Sequence, residues 1–93
     1  MTQAEIIKAI RDTSGAYGVR EAFLFGSFAR GTAGDASDVD VCVDFDGPPT
    51  MLAFVGFKLA LERVLGRRVD LVTRRSVHPG MRERIESEWI RAA

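Results

Sequence analysis

The chain has 93 residues, a formal net charge of zero, 46% apolar residues and 28% charged residues. That length supplies one modest core and fits a single domain spanning residues 1–93, with association open as a way to cover more surface. Charge neutrality argues against a protein that grips duplex nucleic acid through phosphate neutralisation, no apolar run is long enough to cross a bilayer, and a lone cysteine, Cys42, excludes an internal disulfide and points to a reducing, cytoplasmic setting.

The first predicted element is a helix. Thr2 with Glu5 makes a capping box, Ile6, Ile7 and Ile10 form one apolar side, and the helix ends near Ser14-Gly15. A strand follows over Val19 to Phe25, with the apolar run Ala22-Phe23-Leu24-Phe25 stopping at Gly26-Ser27. Phe28-Ala29-Arg30 has the makings of a short helical turn, which leaves backbone N–H groups free to meet an anion. Gly26 lets the main chain approach a phosphate closely, and the Ser27 hydroxyl can add a hydrogen bond. Arg30 either supplies a fixed positive charge or fixes the loop. The stretch is not a P-loop, because it lacks the Lys-Ser/Thr ending, and it has no Gly-x-Gly-x-x-Gly.

The run Asp38 to Asp44 alternates as a second strand. Val39, Val41 and Val43 take one face; Asp38, Asp40, Cys42 and Asp44 take the other. Carboxylates at that spacing can converge on one hard cation such as Mg²⁺. Cys42 shares their face and is either close to such a site or a small packed side chain. Asp35, Asp38, Asp40, Asp44 and Asp46 crowd twelve residues that carry no basic group. A calcium-loop reading fails there, since Val43 or Phe45 stands where that loop needs glycine.

Pro48-Pro49-Thr50 opens a longer helix that stops at Gly66. Its apolar residues, Met51, Leu52, Phe54, Val55, Phe57, Leu59, Leu61, Val64 and Leu65, wrap more surface than one core face requires, so the helix is either sandwiched or meets another chain. A third strand lies within Gly66 to Thr73, with Val69 and Leu71 on one face and Asp70 on the other. An acid in so apolar a run needs a cationic partner, and Arg67, Arg68 or Arg74 can serve. Placed beside Asp38 and Asp40 it would instead make a crowd of carboxylates that divalent cations relieve. Pro79-Gly80 begins a last helix in which Met81, Ile85 and Trp89 recur at four-residue spacing as core contacts, and His78 at its start is assigned a structural or exposed place. The arginines of the last third balance the acidic block, contact a phosphate tail or simply meet solvent.

Gly26-Ser27, then Asp38-x-Asp40, then a strand aspartate at Asp70 resemble the signature of the DNA polymerase beta nucleotidyltransferase superfamily. The string Leu24-Phe25-Gly26-Ser27-Phe28-Ala29-Arg30-Gly31 with Ser37-Asp38-Val39-Asp40-Val41 is similar to its minimal nucleotidyltransferase branch, small proteins often paired with HEPN-family toxins. The resemblance runs from about Val19 to Thr73. With the element order α-β-α-β-α-β-α, it implies an α/β (α+β) fold, a small mixed three-stranded sheet with helices packed on it and the acids on the exposed face. It implies that Asp38, Asp40 and Asp70 are catalytic and hold two Mg²⁺ ions. It also implies that Gly26, Ser27, Arg30 and Ser37 bind the nucleotide, that ATP is the donor, and that the acceptor is a tyrosine of a partner HEPN toxin. The chain would thereby act as an antitoxin. Two other readings stand beside it: an antitoxin that neutralises by contact alone, and a nucleotidyltransferase acting on an aminoglycoside-like small molecule.

Overall fold

The computed structural model describes residues 1–93. Helix α1 (Gln3–Ser14) leads through a 3-10 turn (Gly15–Tyr17) into β1 (Val19–Phe25) and the short α2 (Gly26–Arg30). Then come β2 (Val39–Phe45), α3 (Met51–Leu65), β3 (Val69–Thr73), α4 (Pro79–Glu88) and β4 (Ile90–Arg91). The helix limits follow local chemistry. The Glu5 N–H donates to Thr2 Oγ1 at 3.1 Å while the Thr2 N–H donates to Glu5 Oε1 at 2.8 Å, closing the expected box. The Ala53 N–H donates to Thr50 Oγ1 at 3.0 Å to cap α3, and Gly66, in the left-handed region at φ 65°, ends it. His78 caps α4, accepting from the Gly80 N–H at its Nδ1 at 3.2 Å.

The sheet runs β3-β2-β1-β4. β1 is antiparallel to both β2 and β4, whereas β2 and β3 are parallel and are joined by α3 as their crossover. One face packs against α1 and α3: Ile6 and Ile10, Phe57, Leu61 and Leu65 close over Leu24, Val39, Val41, Val43, Val69 and Leu71. Burying each of these side chains stabilises the fold by about 1.5–3 kcal/mol before chain entropy is set against it. The valines and leucines of alternate strand positions therefore form the core, as the pattern requires.

Three expectations are corrected. A fourth strand exists, because Ile90 and Arg91 pair with Leu24 and Phe23. The opposite face of the sheet is not open throughout: α4 covers part of it, burying Phe23, Cys42 and Ile85 in a second cluster. Of the four-residue series, Ile85 is buried, Met81 is exposed, and Trp89 lies just beyond α4, its ring stacked on Phe23 with centroids 3.8 Å apart. Helix α3 is one-sided; Met51, Leu52, Val55 and Leu59 remain exposed. No helix is long and apolar enough to cross a membrane.

Candidate active site

Strand register sets the site. Phe25, Asp40 and Asp70 are partners in one row across β1, β2 and β3, with Phe23, Cys42 and Val72 in another row on the same face. Neighbouring strands lie about 4.8 Å apart, so the Asp40 and Asp70 side chains leave the sheet side by side. Asp70 is exposed, and Asp38 is exposed immediately before β2. β2 begins at Val39 and not at Asp38, which puts the first carboxylate on the loop entering the strand.

Gly26 turns the chain out of β1 directly over Asp40. Its φ is +74°, in the left-handed region, and a Cβ there would overlap Asp40 Oδ2 and sit 2.9 Å from Asp40 Cγ. Glycine is therefore required twice, by backbone conformation and by the space the carboxylate occupies. The Asp40 carboxyl is raised from its ordinary value of 3.8 to about 6, first by burial and then by the negative charges of Asp70 and Asp38; Glu88 adds to this and Arg30 opposes it. Carboxylates held this way favour a proton or a cation.

A cleft of about 280 Å³ opens at this point, with Gly26, Arg30, Asp40, Asp70, Arg84 and Glu88 in its lining. A hollow of about 340 Å³ adjoins it, with Asp70, Val72, Val77 and Met81 among its residues. The donor set is all carboxylate oxygen, which suits Mg²⁺. No group of three acidic side chains is drawn together tightly enough to hold an ion unaided. Mg²⁺ is ordinarily held by one or two carboxylates with water and substrate phosphate completing the shell. The residues therefore fit a metal that enters together with a phosphate ligand.

The remaining sequence candidates separate. Ser27 is half-buried on α2. Ser37 is used in a loop turn, where its Oγ accepts from the Gly34 N–H at 2.9 Å, and it is not part of the cleft. Arg30 faces the cleft but is held by Glu88, its Nη1 lying 3.0 and 3.1 Å from the two carboxylate oxygens. Of the arginines offered as partners for Asp70, Arg67 donates instead to the Asp35 carbonyl at 3.0 Å and lies over the Phe28 ring. Arg74 pairs with Glu21 and Glu86. Cys42 is a packed side chain, its thiol pushed up to about 11 chiefly by burial.

Glu88 is the site residue that sequence reasoning missed. Besides Arg30, it accepts from the Gly26 N–H at 3.2 Å. Its only signal was a carboxylate at the C-terminal end of a helix, where the macrodipole disfavours negative charge unless a cation answers it. Arg84, one turn earlier on α4, also reaches the cleft.

Known nucleotidyltransferases are similar to this chain in sequence and fold. The profile of the nucleotidyltransferase domain family matches residues 4–92. The protein adenylyltransferase MntA of Thermococcus cleftensis is 44% identical over 74 residues, covering 80% of this chain and 75% of that protein. A solved structure named, provisionally, as a minimal nucleotidyltransferase superposes with a TM-score of 0.85 at 36% identity, over 97% of this chain and 95% of that one. A toxin–antitoxin structure containing AMP-PNP superposes with a TM-score of 0.77 at 26% identity, over 100% of this chain and 73% of that one.

Proposed function

The chain belongs to the nucleotidyltransferase domain family, and on that premise we propose that residues 1–93 act as one such domain that moves AMP from ATP to a hydroxyl of a partner protein. The carrying observation is the juxtaposition of Asp40 and Asp70 in one strand row under the Gly26 bend. Family membership makes the chain a nucleotidyltransferase; donor base, acceptor and residue roles are the proposal.

In this reading Gly26 and Ser27 receive the terminal phosphates, with Arg30 and Arg84 balancing their charge. Asp38, Asp40 and Asp70 would hold two Mg²⁺ ions, which when bound supply Lewis-acid stabilisation of the attacking and leaving oxygens. Asp70, the exposed carboxylate beside the adjoining hollow, takes the acceptor's proton. The acceptor oxygen forms its bond to the α-phosphorus as the bond from that phosphorus to the bridging oxygen breaks, and pyrophosphate leaves. Phe25 and Ile85 supply apolar surface in the cleft lining beside the acids.

A HEPN toxin presenting a tyrosine is the proposed partner, supported by the motif resemblance and by the toxin–antitoxin assembly of the AMP-PNP relative. The resulting role is an antitoxin acting by adenylylation. One observation favours neutralisation by contact instead: the exposed row Met51, Leu52, Val55 and Leu59 on α3 offers an apolar surface away from the acids. Incubation with the product of the neighbouring gene and with a HEPN toxin, each with ATP labelled at the α-phosphate, separates the two. Label on the toxin, lost in Asp40→Ala, is the expected result. Tight binding with no transfer in the wild type refutes catalysis, and label on an aminoglycoside in place of protein refutes the choice of acceptor.

A further inference from the structure

We propose that Glu88 is an internal stand-in for the nucleotide's phosphate: its carboxylate fills the seat made by the Gly26 N–H and the Arg30 guanidinium, and must vacate it for a triphosphate to enter. This rests on the reading that the Gly26 bend receives phosphate.

Both donors are engaged by one carboxylate. The Gly26 N–H donates to Glu88 Oε1 at 3.2 Å, and Arg30 Nη1 lies 3.0 Å from Oε1 and 3.1 Å from Oε2. A backbone N–H carries a single proton, so a full hydrogen bond to Glu88 and another to a phosphate oxygen exclude each other. Charge adds to this. A carboxylate and a phosphate at one point repel, and the Glu88 side chain is only 20% exposed, which limits screening.

The contact is also long-range. Glu88 stands 62 residues from Gly26 and 58 from Arg30, so it latches the end of α4 to α2 across the cleft that contains Asp40 and Asp70. Trp89, the next residue, already has extended backbone at ψ 154°. Exchange of carboxylate for phosphate therefore unlatches the helix end at a point where helical hydrogen bonding has stopped. Glu88 is a positioning residue in this scheme and touches no reacting atom.

Binding of MgATP and of inorganic tripolyphosphate to the full chain, measured by calorimetry, tests the exchange. Glu88→Ala should bind about tenfold tighter than wild type, the factor that corresponds to one charge-assisted hydrogen bond no longer in competition, and Glu88→Gln, which loses the charge but keeps an amide oxygen able to accept from the Gly26 N–H, should also bind tighter than wild type but by less. A readout in the wild type needs no variant: on MgATP addition the Gly26 amide and the Glu88 side-chain carboxyl resonances should move together. Equal or weaker binding by the variants, or a Glu88 carboxyl that stays put while MgATP binds, overturns the stand-in and leaves the nucleotide site intact. Failure of wild type and both variants to bind MgATP at all overturns the reading of the site itself and this proposal with it.

Discussion

Replacing Gly26 by alanine tests the most exacting contact in the site. Two costs are separable. The left-handed backbone at φ +74° penalises a Cβ by about 1–2 kcal/mol, offset by about 0.4–1 kcal/mol because alanine restricts the unfolded chain. The overlap with Asp40 Oδ2 and Cγ adds a further overpacking cost of about 1–3 kcal/mol. Gly31 provides the control: its φ is +77°, yet a Cβ there meets nothing within 4 Å. Gly31→Ala should therefore lose only about 1 kcal/mol, and Gly26→Ala roughly 2–4 kcal/mol. Urea unfolding of Gly26→Ala, Asp40→Ala and the double variant closes the cycle. With the Asp40 carboxylate gone, only the residue-40 Cβ remains near the new methyl, at 3.2 Å, so Gly26→Ala should cost little more than the control, a coupling of about 1–3 kcal/mol, or on the order of 4–8 °C in Tm per kcal/mol. An identical cost in both backgrounds would refute the claim that residue 26 is glycine on account of Asp40.

Asp40, raised from 3.8 to about 6 in the fold, binds its proton more tightly folded than unfolded, so its contribution to stability is greatest below about pH 4 and is lost as pH rises through about 6. Metal-free wild type should show that decline between pH 4 and 6 in chemical denaturation, and Asp40→Asn should flatten it; an unchanged slope contradicts the assignment. Trp89→Ala removes the stack on Phe23 and loosens α4; for a half-buried indole the loss should fall near or below the low end of the 3–5 kcal/mol seen in cores, about 2–3 kcal/mol by thermal unfolding. Leu52, 84% exposed on α3, should accept glutamate within about 0.5 kcal/mol by urea unfolding, and a larger loss would show that this face is covered in the folded chain. Thr2→Ala should cost about 1 kcal/mol through the lost capping box, read as a fall in Tm.

Most of the frame is legible because burial on one side of a strand leaves an alternating signature. Val39, Val41 and Val43 against Asp40 and Asp44 orient β2 without further information, and Thr50 and Gly66 delimit α3 by capping chemistry. The placement of Asp40 and Asp70 on the face opposite the core is legible for the same reason, since Asp70 interrupts an otherwise apolar strand. β4 escapes because two residues carry no period, and its pairing with Leu24 and Phe23 is decided by the docking of the chain end. The cover that α4 places over part of the sheet escapes too: its sequence is mostly polar, and a single buried Ile85 and the Phe23–Trp89 stack seat it. Glu88 is invisible on its own because its partners come from residues 26 and 30, and nothing local to α4 announces them. Ser37 shows the converse, a motif residue whose hydroxyl serves its own loop.

The solitary thiol of Cys42 lies between the sheet and α4, in the cluster with Phe23 and Ile85, and its proton is held well above the usual cysteine range. Alkylating reagents attack the thiolate, so the folded chain should be almost inert to them until the helix lifts. The rate of chemical labelling at this one sulfur thus serves as a clock for helix detachment, legible by mass spectrometry with no dye or tag introduced. Any ligand that loosens the far end of the same helix should make that clock run faster.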